Sequence, residues 1–256
     1  MTNKNMLVSV ITPTLNGGKF IEMCIKSVKN QTKSVEHIII DGGSSDNTLD
    51  IIKRHPEITS IHEPDTGMYD AINKGLKLAN GEIIGYLNTD DRYYSDTISK
   101  VLYIFKNKPE VDFVYGACTY INHNEEELYT FKPLPYSNKL FRNMKRICWA
   151  QPSCFWRKNV HDKIGYFNSS LKYCGDHVFF RSLILNNFQG VRINSPLSLF
   201  MIHDNSLSVK SKNEMFKEFK EIELNYNFKK SPLLGFVGEM YFKLINIFVY
   251  LKIGKK

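Results

Sequence analysis

The stretch "HIIIDGGSSDNT", residues 37–48, decides the fold of this chain. The isoleucines at 38–40 form a short β-branched run, which is typical of a strand buried on both faces. Asp41 follows directly, at the end of the strand where open α/β sheets bind their ligands. The glycines at 42–43 permit a sharp turn, and Asp46 can cap a following helix. The stretch predicts a strand, a polar site and a helix, although turn and capping needs alone could explain these residues.

The same alternation of strand and helix patterns continues from residue 7 to about residue 91. Four short apolar runs are separated by residues at helical spacing, which predicts a Rossmann-like, mostly parallel α/β sheet flanked by helices. A further helix is expected over 95–105, followed by strands over 111–121 and 128–132. This second part predicts an α+β elaboration of the sheet edge, with a solvated turn at the glutamates 125–127.

These patterns divide the chain into three segments: 1–94, which binds a ligand at the strand ends, 95–209, which completes the same domain, and 210–256, a basic helical tail. The chain has 256 residues and a net charge of +8, and the tail contains ten lysines and five glutamates. Clustered lysines attract nucleic acid or an anionic membrane. No nucleic-acid-binding motif accompanies them, so a membrane surface is the expected partner.

An apolar stripe runs along the tail at three- and four-residue steps, which predicts C-terminal amphipathic helices. Charged residues interrupt the stripe, so it does not predict a membrane-spanning helix. It could lie on a membrane, with Lys252, Lys255 and Lys256 at its end, or pack on the domain. Its members are Leu233, Phe236, Val237, Met240, Tyr241, Leu244, Ile245, Phe248 and Leu251.

Cysteine usage and the N-terminus indicate a cytoplasmic protein. The five cysteines are scattered and include no C-x-x-C pair, which predicts reduced, packed thiols. The N-terminus enters a strand almost at once and lacks the apolar core of a signal peptide. With the basic tail, this predicts a cytoplasmic location, with peripheral contact to the inner face of the plasma membrane.

Two strand ends carry the residues expected to bind ligands. Thr12, Thr14 and Asn16 end the first strand beside Asp41, and polar groups there suit a base and a ribose. In "GYLNTDD", residues 85–91, a strand runs directly into two adjacent aspartates. Two like charges repel unless a cation separates them, and carboxylate oxygens suit Mg²⁺ or Mn²⁺. Capping of the next helix is the alternative role of this pair.

Four motifs in this order resemble the nucleotide-sugar-binding half of the family-two glycosyltransferases, which have a GT-A-type fold. They are "VSVITPTLNGG" (8–18), "DGGSSDNT" (41–48), "HEPDTGMYDAINKG" (62–75) and "GYLNTDD" (85–91). The resemblance is strong over residues 7–91 and looser to about residue 205. It points to the branch that builds bacterial surface polysaccharides.

The resemblance implies a role for each donor-side residue. Thr12, Thr14, Asn16 and Asp41 would hold the nucleoside, usually uridine. Asp91, helped by Asp90, would hold Mn²⁺ or Mg²⁺ on the diphosphate, with Asn88 in place of the first aspartate of a D-x-D motif. Asp65, Asp70 and Lys74 would line the donor pocket, although Lys74 could equally be a surface helix residue.

The resemblance also implies acceptor-side roles in the second half. Asp176, in "YCGDHVFFRSLI" (173–184), would be the general base, although relatives often carry Glu-Asp here and an N-cap is the alternative. Asp162 is the next carboxylate to consider. His203 would reach the metal or diphosphate, or be structural. Gln151 and Trp156 are the expected sugar contacts.

The expected function is that of a metal-dependent, inverting glycosyltransferase of the hexosyltransferase type. Its donor would be a nucleotide-sugar, with a UDP-sugar expected, and its acceptor a saccharide or polyprenyl-linked saccharide. One alternative is a non-catalytic sugar-nucleotide-binding partner subunit on the same fold. Another is a nucleotidyltransferase, which is disfavoured because a glycine-rich, basic N-terminal phosphate loop is missing. Self-association stays open.

Overall fold

The computed structural model describes residues 6–204, 206–225, 231–247 and 249. Within these residues, nine strands form one sheet in the order β3-β2-β1-β4-β8-β6-β9-β5, and β7 pairs with β6. The strands are β1 (Val8–Thr14), β2 (Val35–Asp41), β3 (Thr59–His62), β4 (Ile83–Tyr86), β5 (Arg92–Tyr93), β6 (Phe113–Ile121), β7 (Glu127–Phe131), β8 (Cys154–Arg157) and β9 (Gly190–Met201).

Helices cover the sheet and continue into the C-terminal segment. They are α1 (Ile21–Lys29), α2 (Thr48–Lys53), α3 (Met68–Leu78), α4 (Thr97–Asn107), α5 (Asn138–Phe141), α6 (His161–Ile164), α7 (Gly175–Leu185), α8 (Leu207–Lys210), α9 (Lys212–Asn225) and α10 (Pro232–Ile245). Short 3₁₀ turns cover Gln151–Ser153 and Lys158–Val160. The helix predicted over 95–105 is α4, and the two strands predicted after it are β6 and β7.

The predicted parallel sheet is confirmed for the first four strands, which are all parallel in the order β3-β2-β1-β4. Successive side chains of β2 point to opposite faces. Ile38 and Ile40 pack in the cluster that includes α3, whereas Ile39 packs against Ile21 of α1. Burying each isoleucine contributes roughly 1.5–3 kcal/mol, which explains why this run forms a central strand.

The second half continues the same sheet with mixed directions. β8 runs antiparallel to β4 and to β6, whereas β9 runs parallel to β6. β5 pairs with β9, and β7 pairs with β6, both in the antiparallel direction. The predicted turn lies slightly earlier than 125–127, because it spans residues 122–126 and Glu127 already begins β7. Glu125 has a φ of 66° within this turn. This continuation carries the end of β9 to the strand end that bears Asp91.

The C-terminal helix α10 packs on the domain mainly through residues that the sequence did not assign to the apolar stripe. Phe242 is buried, and its ring lies 5.0 Å from that of Phe131. Asn246 is also buried and exchanges two hydrogen bonds, both of 2.9 Å, with the backbone of Lys132. Most of the described stripe faces solvent, since Leu233 is 71% exposed and Leu244 is 64% exposed, whereas Ile245 is partly buried and packs against the core.

Several residues of the predicted tail lie outside the described residues, namely Phe248, Leu251 and the lysines 252, 255 and 256. Among the residues that are described, no helix is long and apolar enough to cross a membrane. The five cysteines are free and buried, so the prediction of packed thiols is confirmed.

Candidate active site

Asp41 lies at the carboxyl end of β2, beside Thr14 of β1. It is 1% exposed, and its Oδ1 accepts hydrogen bonds from the backbone of Gly43 and Ser44 and from His62 Nδ1, at 3.0, 2.9 and 2.5 Å. Burial alone would raise the pKa of Asp41, but these hydrogen bonds hold it below its ordinary value. Its buried Oδ2 has no hydrogen-bond partner among the described residues. An ionised acceptor is thus available at the strand end.

Asn16 connects the two loops that follow β1 and β2. Its backbone N–H donates to Ser44 Oγ at 2.7 Å, and its Oδ1 accepts from the backbone of Ser45 at 2.9 Å. Its φ of 52° turns the chain sharply just after Leu15. Leu15 is 60% exposed beside this edge and was missed in the sequence analysis. The signal was available, since an apolar residue stands directly between the polar Thr14 and Asn16.

The prediction for Thr12 is wrong with respect to its side chain. Thr12 is completely buried, and its hydroxyl lies 3.0 Å from His37 Nε2 and 3.8 Å from Cys24 Sγ. Side chains alternate along β1, and this one points under the sheet toward α1. Thr14 is 5% exposed, and a Cβ at Gly17 would lie 2.5 Å from its hydroxyl. The Thr14 side chain is therefore almost fully covered at this edge of the sheet.

Asp65 lies close to the Asp41 loop, whereas Asp70 and Lys74 hold the loop before α3. Asp65 Oδ1 accepts from the backbone of Gly67 at 2.9 Å, and a Cβ at Gly42 would lie 2.2 Å from its Oδ2. Gly42 is thus needed for this close approach.

Asp70 accepts from the Thr66 backbone at 3.1 Å, and Lys74 Nζ donates to the Pro64 carbonyl at 2.9 Å. The contacts of Asp70 and Lys74 are structural within this loop.

The predicted metal-binding residues Asp90, Asp91 and His203 come together where β4 and β9 end. Asp91 is 1% exposed, and its Oδ1 accepts from the Met201 backbone at 3.2 Å. Asp90 Oδ2 lies 3.0 Å from His203 Nε2. Asn88 Nδ2 lies 3.4 Å from Asp91 Oδ2.

The electrostatics of this carboxylate pair suit a cation. Burial, and next the charge of Asp90, raise the pKa of Asp91 well above its ordinary value. A divalent cation would relieve this repulsion, and carboxylate and imidazole ligands suit Mn²⁺ or Mg²⁺. In the described part of the chain, no group of three or more His, Cys, Asp or Glu side chains is arranged to hold a metal ion. An ion bound by this carboxylate pair would therefore depend on further ligands from a bound molecule.

Asp176 lies in the first turn of α7 and is only partly exposed. Its Oδ1 accepts from the backbone of His177 at 2.7 Å and from Tyr69 Oη at 3.3 Å. Burial raises the pKa of Asp176 to about 6. The N-cap residue of α7 is Cys174, so Asp176 does not have the ordinary N-cap role. A Cβ at Gly175 would lie 2.7 Å from the Tyr69 ring, which explains why glycine precedes Asp176.

Tyr86 connects the two groups of carboxylates. Burial raises its pKa well above the ordinary value, and the charges of Asp176, Asp91 and Asp90 add to this effect. Gln151 Nε2 donates to the Tyr86 carbonyl at 2.5 Å, and its Oε1 lies 3.4 Å from Asn88 Nδ2. Asn88 and Gln151 thus connect Asp91 to the Tyr86 backbone. On the other side, the Phe167 ring contacts both the Tyr86 ring and the ring of Tyr69, which donates to Asp176.

Two acceptor-side alternatives do not fit this edge. Trp156 is completely buried and donates to His161 Nε2 at 3.0 Å, so the prediction that it contacts a sugar is wrong. Asp162 lines a surface hollow of about 430 Å³ together with Gly81, at the start of β4. Asp91 follows the other end of that strand, so Asp162 is poorly placed to act as the base.

The family of the chain is shown by comparison with known proteins. Residues 9–165 match the family model for glycosyl transferase family 2. The chain belongs to glycosyl transferase family 2. The match includes the Asp41 loop and the Asp90–Asp91 pair and ends before Asp176 and His203. It confirms the resemblance that the four sequence motifs indicate.

Two relatives of this family 2 glycosyltransferase show the extent of the similarity. The PGL/p-HBAD biosynthesis glycosyltransferase of Mycobacterium bovis BCG is 32% identical over 180 residues, which cover 68% of each chain. TuaG of Bacillus subtilis, a glycosyltransferase assigned to teichuronic acid biosynthesis, is 39% identical over 108 residues. That alignment covers 40% of the family 2 chain and 43% of TuaG.

Solved structures show that the family 2 chain has a GT-A-type fold. S. aureus TarS 1-349 in complex with UDP-GlcNAc has a TM-score of 0.68 at 19% identity, and the match covers 89% of this chain and 69% of the TarS 1-349 chain. The mannosyltransferase PcManGT from Pyrobaculum calidifontis, in complex with GDP-Man and Mn²⁺, has a TM-score of 0.66 at 17% identity. The structural match covers 97% of this chain and 73% of the PcManGT chain.

Proposed function

We propose that this protein is an inverting glycosyltransferase that moves a sugar from a UDP-sugar to a saccharide or lipid-linked saccharide in surface polysaccharide synthesis. The observation that carries the proposal is that side-chain contacts connect both Asp91 and Asp176 to Tyr86, the last residue of β4. Asp91 can help to stabilise the departing diphosphate, and Asp176 can accept the proton of the incoming hydroxyl. The relatives assigned to PGL/p-HBAD and teichuronic acid biosynthesis support this class of product.

The nucleoside would bind at the ends of β1 and β2. Asp41 Oδ2 is a buried, ionised acceptor without a hydrogen-bond partner among the described residues, and it can accept the ring N–H of uracil. The exposed Leu15 side chain offers an apolar surface to the base. Asn16 keeps the two loops together around it. The TarS complexes with UDP and UDP-GlcNAc support uridine as the nucleoside.

Asp90, Asp91 and His203 would hold Mn²⁺ or Mg²⁺. Such a cation supplies positive charge that stabilises a departing diphosphate. The Mn²⁺ complex of PcManGT supports this assignment. Asn88 and Gln151 would keep Asp91 and the Tyr86 backbone in place through their amide groups.

Asp176 would act as the general base. Its carboxylate takes the proton of an acceptor hydroxyl while that oxygen forms a bond to the anomeric carbon. The bond from the anomeric carbon to the phosphate oxygen breaks on the opposite face, and the nucleoside diphosphate leaves with the electron pair. A single displacement of this kind inverts the anomeric configuration. A pKa of about 6 leaves Asp176 deprotonated at neutral pH and still basic enough to accept a proton.

Product analysis tests this proposal. The purified protein, supplied with Mn²⁺, is expected to release nucleoside diphosphate from a UDP-sugar and little from matched GDP- and dTDP-sugars, in the presence of a saccharide acceptor pool. NMR of the product should show the anomeric configuration opposite to that of the donor. UDP-sugar binding without any release would instead support a non-catalytic partner subunit, and pyrophosphate release would support a nucleotidyltransferase.

The exposed face of α10 is proposed to contact the cytoplasmic surface of the plasma membrane. Its apolar residues lie opposite the buried Phe242 and Asn246, so the helix can remain packed while this face inserts. A lipid-linked acceptor would be concentrated at the same surface. The exposed members are Leu233, Phe236, Val237, Met240, Tyr241 and Leu244.

Replacing exposed apolar residues of α10 should weaken liposome binding without unfolding the protein. The double variant Phe236→Ser/Leu244→Ser is expected to sediment less with anionic liposomes, because each side chain loses roughly 1.5–3 kcal/mol of apolar burial. High salt should weaken wild-type binding as well, since lysines contribute about 1 kcal/mol each near an anionic surface. Truncation before α10 is a poorer test, because it would uncover Phe131 and Met144.

Tyr103→Ser is the matched control, since Tyr103 is 66% exposed on α4. It should bind liposomes as the wild type does. Equal sedimentation of the double variant and the wild type would contradict membrane contact through α10.

A further inference from the structure

Glu218 of α9 binds the backbone just before the helix that carries Asp176. Its Oε1 accepts from the backbone N–H of Lys172 at 2.7 Å. Its Oε2 accepts from those of Tyr173 and Cys174, at 2.8 and 2.7 Å. One carboxylate from the C-terminal segment thus binds three consecutive N–H groups of the 172–174 segment.

The Glu218 carboxylate supplies hydrogen-bond acceptors at the start of α7, where the helix has no side-chain cap of its own. The N-cap residue Cys174 makes no side-chain cap hydrogen bond. N–H groups at and before a helix start need acceptors, and negative charge there is favourable. Two further contacts hold α9 against α7: Cys174 Sγ lies 3.6 Å from the Met215 carbonyl, and the rings of His177 and Phe219 are 4.9 Å apart.

We propose that Glu218 is a positioning residue for sugar transfer, because it fixes the start of α7 and thereby the orientation of the Asp176 carboxylate. This inference rests on the proposed role of Asp176 as the base. Tyr69 defines the required orientation, since its single O–H lies between two acceptors, the Tyr173 carbonyl at 3.0 Å and Asp176 Oδ1 at 3.3 Å. Glu218 and Tyr69 therefore bind the same short segment. Glu218 accepts from its N–H groups, and Tyr69 donates to one of its carbonyls.

Glu218 also influences the charge state of the base. The titratable groups around Asp176 are Tyr69 of α3, Tyr86 of β4, Glu218 of α9, and Cys174 and His177 of its own segment. Burial is the main cause of the raised Asp176 pKa, and the negative charge of Glu218 raises it further. Loss of that charge should shift the acid limb of the pH profile to lower pH. A purely structural contact would not move this limb.

The test compares Glu218→Gln and Glu218→Ala with Glu221→Gln, which removes the same charge from an exposed position on the same helix. Glu218→Ala is expected to lower kcat roughly 10- to 100-fold, as small misplacements of a reacting group do. Glu218→Gln should have a smaller effect, because one amide oxygen can still accept from two of the N–H groups. The Kd of UDP, measured by calorimetry, should change less than about twofold in both variants. Hydrogen exchange at residues 172–174 should become faster.

A kcat of Glu218→Gln and Glu218→Ala equal to that of Glu221→Gln would refute the positioning role. So would a matching loss of UDP affinity and thermal stability in both Glu218 variants, since that pattern indicates general destabilisation. Hydrogen exchange separates this inference from the proposed function. Suppose that exchange at 172–174 becomes faster in Glu218→Gln but the wild type releases no nucleoside diphosphate from any donor. That result would refute the proposed transferase activity, while the contact of Glu218 with residues 172–174 would stand.

Discussion

Asp176→Asn is expected to lower kcat for sugar transfer by about 10²- to 10⁴-fold, the range that a general base contributes. The Kd of UDP should stay within about twofold of the wild-type value, because the base acts on the acceptor hydroxyl and not on the nucleotide. Transfer rates and calorimetric UDP binding measure the two effects. Asp162→Asn is the control, since Asp162 lies near the start of β4, away from Asp91. Wild-type transfer by Asp176→Asn would show that the base lies elsewhere.

The pKa of Asp176 adds two pH-dependent expectations. Wild-type kcat/KM should fall as the pH decreases through about 6, because Asp176 then becomes protonated. The folded state also binds this proton more tightly than the unfolded state, whose carboxyl has an ordinary pKa of 3.8. The Asp176 contribution to the free energy of unfolding therefore decreases as the pH rises from about 4 to about 6. Asp176→Asn should remove this slope, which thermal unfolding across that pH range would measure.

Asp91→Asn is expected to lower turnover by roughly 10²-fold or more, as expected when an electrostatic stabiliser of the transition state is lost. Asparagine preserves the size of the buried side chain, so the fold should persist. Wild-type protein should bind UDP more weakly in EDTA, and Mn²⁺ should raise its unfolding temperature because the ion binds the folded state. Asp91→Asn should lose most of both metal effects, which calorimetry and thermal unfolding can follow without an activity assay.

Asp96→Asn is the matched control for Asp91→Asn. Asp96 is a half-exposed carboxylate five positions further along the chain, paired with Lys100 at 2.8 Å. Its substitution should leave turnover and the Mn²⁺ effect unchanged. Undiminished UDP binding in EDTA, together with full activity of Asp91→Asn, would remove the metal from the proposal.

The sequence by itself determined the strand and helix pattern and the edge of the sheet where the polar residues gather. A β-branched run such as 38–40 can be buried on both faces only inside a covered sheet, so its local pattern already implies its surroundings. Asp41 is the last residue of β2, and the Asp90–Asp91 pair lies in the short loop after β4, so the parallel strands place both at the same edge of the sheet. The candidate site could be predicted because its location follows from strand direction.

Only the tertiary structure decided which way several side chains point and what covers them. Thr12 points under the sheet because α1 lies there. α10 buries Phe242 and leaves most of the apolar stripe exposed because the surface it meets is shaped by Phe131 and Met144. The contact of Glu218 with residues 172–174 joins positions more than 40 residues apart. Hydrophobic periodicity shows that a helix has two faces, but the surface that the helix meets determines which face is buried. That surface is formed by residues distant in sequence, so no local pattern can reveal it.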